Sequence, residues 1–230
     1  DSSRAIVFSS GFPATIYRTE TGGNSWEIVY QSADSAVFLD AMTWESDQKG
    51  WILGDPVEHS FLILETTDGG KTWKLLPDSP PAVEGEAAFA ASNSVLQYSA
   101  GQLFLASGGT NSRIWKKPAN QPTSWQEIPV PVKAAENCGI FSLLVNQRNL
   151  FAVGGCWNAP AEADRNCFYS RNGGKTWKES RVLGYRSCIW KEKQNLNCTG
   201  QTEQKFQKIK AKPGIPFLQM AFIRSAAGNT

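Results

Sequence analysis

One histidine, His59, is all that the 230 residues offer. A serine or cysteine nucleophile with an imidazole base would have to be built around it in the loop Asp55 to Ser60, which disfavours hydrolases of that kind. No glycine-rich phosphate loop or dinucleotide fingerprint follows a strand-like run and opens a helix, so nucleotide chemistry is disfavoured too. None of the five cysteines has the CxxC spacing of a zinc site, and no metal or other cofactor is expected. A net charge of +2 gives no electrostatic case for nucleic acid. No run approaches the roughly 18 apolar residues of a membrane helix. No basic, apolar leader opens the chain, so any targeting signal is expected to have been removed or left out of this sequence.

What is present is a repeat. Trp26, Trp73, Trp125 and Trp177 follow one another at intervals of 47, 52 and 52 residues. Similar segments lead into three of them: TETGGNSW at 19–26, TTDGGKTW at 66–73 and SRNGGKTW at 170–177. The copy before Trp125 has lost its glycines but keeps the strand Arg113 to Trp115 ahead of it. A Gly-Gly pair after a short polar residue is hairpin chemistry, because glycine supplies positive φ and the side chain bonds nearby amides. Both flanks are aromatic and branched, as strands are. Two further apolar runs precede each hairpin, giving four strands per roughly 40 to 50 residues, the pattern of a propeller blade. The pairs are 38–44 with 50–54, 87–91 with 102–107, 139–145 with 149–154, and 184–190 with 196–200. Each tryptophan is expected to wedge between blades.

The reading is an all-β propeller of four-stranded antiparallel blades, about five in number, forming a single domain over 1–230. The blades are expected at about 4–30 together with 216–224, 37–77, 86–130, 139–182 and 184–210. The ring closes if Phe217 to Arg224 pairs with the opening strand; otherwise the chain is a piece of a longer ring. Among the cysteines, Cys156 and Cys167 flank an insertion between two adjacent strands, and a disulfide between them is one option. Cys188 with Cys198 is a second pairing, which leaves Cys138 alone, and buried free thiols are the alternative to both. Oxidised cysteines would imply a periplasmic or extracellular compartment.

Ionisable groups in apolar strands are costly unless paired or used. Asp40, Asp55, Glu86 and Arg186 fall where the innermost strands and their loops would converge on the axis. In one reading Arg186 pairs with Glu86 or Asp55 and stiffens the ring. In the other, the four line a concave polar pocket for a ligand or peptide segment.

The TDGGKTW copies resemble the Asp-box (BNR) repeat of sialidases, sortilin-type receptors, some glycoside hydrolases and the photosystem II stability/assembly factor family. The resemblance implies that Asp68 and Asn172, with Trp26, Trp73, Trp125 and Trp177, are structural. A longer set of runs is similar to bacterial proteins related to that plant assembly factor. They are GWILGDP at 50–56, GEAAFAAS at 85–92, CGIFSLLV at 138–145, LFAVGGCWNAPAEA at 150–163 and GYRSC at 184–188. That family's rings have seven blades, about two more than are legible here. It implies a non-catalytic scaffold that docks a protein or peptide partner, and the chain is expected to be a monomer. The alternative is a glycoside hydrolase or sialidase with its site on the axis. Asp55 with Glu86 would be its carboxylate pair, or Tyr185 its nucleophile beside Arg113, Arg186 and Arg224. Peptide capture along the ring, as in sortilin relatives, is a third reading.

Overall fold

The computed structural model describes residues 3–120, 124–180, 184–192, 195–200 and 203–209, the last run as backbone only. Every described element is a strand, and the strands form antiparallel sheets arranged as the blades of a propeller. The first sheet is β1 (Ala5–Ser9), β2 (Thr15–Thr19) and β3 (Glu27–Gln31). The second is β4 (Leu39–Trp44), β5 (Gly50–Val57), β6 (Ser60–Thr66) and β7 (Lys74–Leu75). After the short β8 (Glu86–Ala87) come the strands of the third, β9 (Leu96–Ser99), β10 (Gln102–Ala106), β12 (Arg113–Pro118) and β13 (Gln126–Pro129), with β11 (Gly108–Gly109) between the middle two. The fourth is β14 (Ala135–Asn146), β15 (Asn149–Cys156), β16 (Cys167–Ser170) and β17 (Lys178–Glu179). The fifth is β18 (Cys188–Glu192), β19 (Asn195–Gly200) and β20 (Glu203–Ile209). The expected closing strand, 217–224, lies outside the described residues.

Burial follows position in the blade. The second strands read as unbroken apolar runs, Trp51 to Leu53 and Leu150 to Val153, because neighbouring blades cover both their faces. The outermost strands β7 and β17 are exposed at every residue. A large core joins the second, third and fourth blades, and smaller clusters lie between the first and second and between the fourth and fifth.

The short strands β8 and β11 are a stitch across the inner ends. Gly108 and Gly109 pair with Ala87 and Glu86 on one side and with Gly139 and Ala135 on the other. This corrects the expected strand at 87–91. The first strand of the third blade is Leu96–Ser99, because Val95 and Leu96 supply buried bulk that the alanine-rich run lacks.

Three tryptophans lean on the blade before their own. Trp73 is 7% exposed and meets Trp44 edge to face in the cluster between the first two blades. Trp125 Nε1 donates to the Asp78 carbonyl and Trp177 Nε1 to the Pro129 carbonyl. Trp26 departs from the expected wedge and is 44% exposed. It belongs to the first blade, and no described blade precedes it.

The expected Cys156–Cys167 disulfide is corrected as well. Cys156 is bonded to Cys138, which stands directly opposite it across β14 and β15. Cys167 faces Val153 instead and is a buried free thiol. Cys188 and Cys198 are in no disulfide either. Cys188 lies opposite Thr199 and Cys198 opposite Ile189, so their side chains leave the pair on opposite faces.

Candidate functional site

The outer hairpins are built by side-chain caps. In the second blade, the Thr72 amide and hydroxyl donate to the two carboxylate oxygens of Asp68, at 2.9 and 2.7 Å. Thr66 Oγ1 donates to the same carboxylate and accepts from the Gly70 amide. These donors hold Asp68 down at about 2, below an ordinary carboxyl. Asn172 caps the Thr176 amide in the same way. In the first blade Thr21 Oγ1 accepts from the Ser25 amide in place of an aspartate.

Asp40 and Asp55 are placed by irregularities in the second blade. Leu39 pairs with Gly54 and Ala41 with Leu53, so Asp40 is the extra residue of a β-bulge. Gly54 pairs with Leu62 and Pro56 with Phe61, so Asp55 is the extra residue of a second. Bulges re-aim side chains out of the regular alternation. Gly54 is required there, since a Cβ on it would run into the Phe38 carbonyl. Asp55 donates its amide to that same carbonyl and accepts from the Ala88 amide through Oδ1 at 2.9 Å.

Asp40 is 4% exposed, and its buried Oδ2 has no hydrogen-bond partner among the described residues. Burial, and then the charge of Asp55, push its carboxyl up to about 8. Asp55 is half-buried and is also raised, chiefly by burial.

The other two axis candidates go elsewhere. Glu86 takes two bonds from Arg113, Nε to Oε1 at 2.9 Å and Nη2 to Oε2 at 2.6 Å. The Ser107 hydroxyl and the Val83 amide complete its shell. Arg113 also donates to Glu127 and lies over the Trp115 ring. Arg186 therefore does not neutralise Glu86, which corrects that expectation. It is 1% exposed, with Nη1 on the Tyr185 carbonyl and its charge acting on the Cys198 and Cys167 thiols. The structure thus couples Asp40 to Asp55 and ties Glu86 to Arg113.

The Ala88 amide that anchors Asp55 is followed in sequence by a member of an aromatic stack that the sequence reading did not single out. Phe89, one residue past the amide that anchors Asp55, stacks on Phe141 with centroids 3.9 Å apart. Phe141 in turn meets the Tyr185 edge at 4.8 Å. Phe141 is itself a bulge residue, between the pairs Ile140 with Gly154 and Ser142 with Val153. It holds in the fourth blade the place of Asp40 in the second. The signal for it was present in the runs GEAAFAAS and CGIFSLLV, each of which has a single phenylalanine.

No protein-family model matches the chain. It is similar to the xyloglucanase Xgh74A of Acetivibrio thermocellus, 30% identical over 125 residues that are 50% of this chain and 14% of that one. Among solved structures it is similar to YCF48 bound to D1 peptide, with TM-score 0.51, 16% identity, and 91% of this chain set on 64% of that one. It is also similar to the GH74 enzyme of Niastella koreensis, with TM-score 0.60, 16% identity, 84% of this chain and 31% of that one. The chain spans less than two thirds of each relative, and at these structural identities the likeness is one of fold, the β-propeller.

Proposed function

We propose that the chain is a non-catalytic, monomeric scaffold of the periplasm or extracellular space that docks a protein or peptide segment at the inner ends of its blades. The observation that carries this reading is the hub itself. Asp40 and Asp55 have no counter-charge among the described residues, and the half-buried Phe89 follows the Ala88 amide that holds Asp55, while Glu86 and Arg113 are tied to one another. Concave surfaces of mixed apolar and polar character are where ligands bind. The peptide-bound YCF48 has the same fold. The Cys138–Cys156 disulfide supports an oxidising compartment.

A second reading, a glycoside hydrolase, draws on the xyloglucanase match and on Asp40, whose raised carboxyl would suit a general acid. The pair it would use is Asp40 with Asp55, because Glu86 is fully buried and saturated. The sialidase form has less behind it. Tyr185 is buried with its hydroxyl pushed up to about 12, away from a nucleophile, Arg113 is held by Glu86, and Arg224 lies outside the described residues.

Immobilised protein probed with an array of unstructured peptides tests the scaffold. Retention is expected, lost on Phe89→Ala and kept on the outer-strand change Lys74→Ala. Hydrolysis of xyloglucan or an aryl glycoside above the level of Asp55→Asn would replace the scaffold by the enzyme.

A further inference from the structure

We propose that Asp40 and Asp55 form a recognition site for the cationic head group of a lysine or arginine side chain carried by the docked polypeptide. The inference rests on the scaffold reading and names the chemistry of what docks.

The fold does not require acids at these positions. The two places filled by Asp40 and Asp55 in the second blade are filled by Phe141 and Gly155 in the fourth, with the same bulge and the same close approach at the preceding glycine. The acidic pair is therefore a property of one blade and not of the repeat.

The pair is also unsatisfied from within. Asp40 Oδ2 is buried with no hydrogen-bond partner among the described residues, and Asp55 has a single amide. No lysine or arginine among the described residues acts on either carboxyl, whereas the comparably buried Glu86 takes two bonds from the Arg113 guanidinium. Buried acids without a partner are costly, and an incoming cation would relieve both at once.

The chemistry of the pair selects the kind of cation. A hard divalent ion takes six or more oxygens, and no third histidine, cysteine or acid joins this pair among the described residues. An ammonium or guanidinium has directed donors that two carboxylates can accept, and a long apolar stem to lay on an aromatic face. Phe89, half-buried, stacked on Phe141 and next in sequence to Ala88, whose amide holds Asp55, supplies an aromatic ring near in sequence. Asp55 is the more exposed of the two acids and Asp40 the buried one.

The test titrates the whole chain with Nα-acetyl-lysine methylamide and its neutral isostere Nα-acetyl-norleucine methylamide, followed by NMR. A parallel arm selects a random heptapeptide phage library on the same protein. Binding of the lysine probe is expected to exceed that of norleucine, and Asp55→Asn and Asp40→Asn should each weaken it roughly tenfold or more. The Asp55→Asn change keeps an oxygen acceptor for the Ala88 amide, and Asp40→Asn is isosteric, so both variants should fold, which thermal unfolding checks. Selected peptides should be rich in Lys or Arg on wild type and lose that bias on Asp55→Asn. Equal binding of the two probes, or no change in either variant, overturns the cation site. Peptides enriched without basic residues overturn it too while leaving the scaffold standing. Preferential lysine binding with no peptide enriched keeps the cation site and removes the scaffold.

Discussion

Glu86 and Asp40 are both carboxylates buried at the hub, and the protein treats them in opposite ways. Glu86 is met by a guanidinium, a hydroxyl and an amide, so every lone pair that burial strips of water is given another donor. Asp40 is given none at its inner oxygen by the described residues, and a second acid is set beside it. The first arrangement welds the stitch strand β8 to the third blade. The second leaves electrostatic strain at one place on the ring, as binding sites commonly do.

Glu86→Gln widens this contrast most. It leaves Arg113 buried and half-paired, and should cost about 3 to 5 kcal/mol of stability, read as a lower urea midpoint. Trp73→Ala should cost about 3 kcal/mol by emptying the wedge between blades, while Trp26→Ala stays within about 0.5 kcal/mol of wild type because that indole is half in water.

Asp40→Asn should have the opposite sign to Glu86→Gln. The folded protein keeps a proton on Asp40 up to about pH 8 that the unfolded chain releases near 3.8. Stability therefore falls as pH rises between those values and levels off above them. The asparagine variant should gain a few kcal/mol at pH 9 and almost nothing at pH 4, as thermal unfolding across pH would show; a flat difference would refute the buried charge. A more modest loss is expected of Asp68→Ala, about 1 kcal/mol at neutral pH through the lost hairpin cap. That carboxyl is depressed, so its contribution is present above about pH 4 and is lost towards pH 2.

The blades were legible because glycine pairs and tryptophans mark the hairpins by local chemistry. The acids stood out because Asp40 and Asp55 interrupt apolar strands. What decides their roles is not local. Two bulges set where Asp40 and Asp55 aim, and one-residue register shifts leave no mark in a propensity pattern. Arg113 reaches Glu86 across 27 positions of chain through the stitch, which no spacing rule anticipates. The cysteines misled for a related reason. β15 has a neighbour on each side, and the sequence favoured the hairpin partner at Cys167, whereas the long β14 carries Cys138 to the same rung as Cys156.

The stitch of β8, β11 and β14 has a mechanical implication. Blades of a ring ordinarily meet only through side chains, but here main-chain bonds cross from Glu86 and Ala87 through Gly108 and Gly109 to the fourth blade, and the Ala88 amide ties in the second through Asp55. Main-chain bonds from Leu39 to Ser10 and from Arg186 to Gly154 reach the first and fifth blades as well, so the inner ends of the blades should open to solvent together as one cooperative block, with uniformly slow amide exchange.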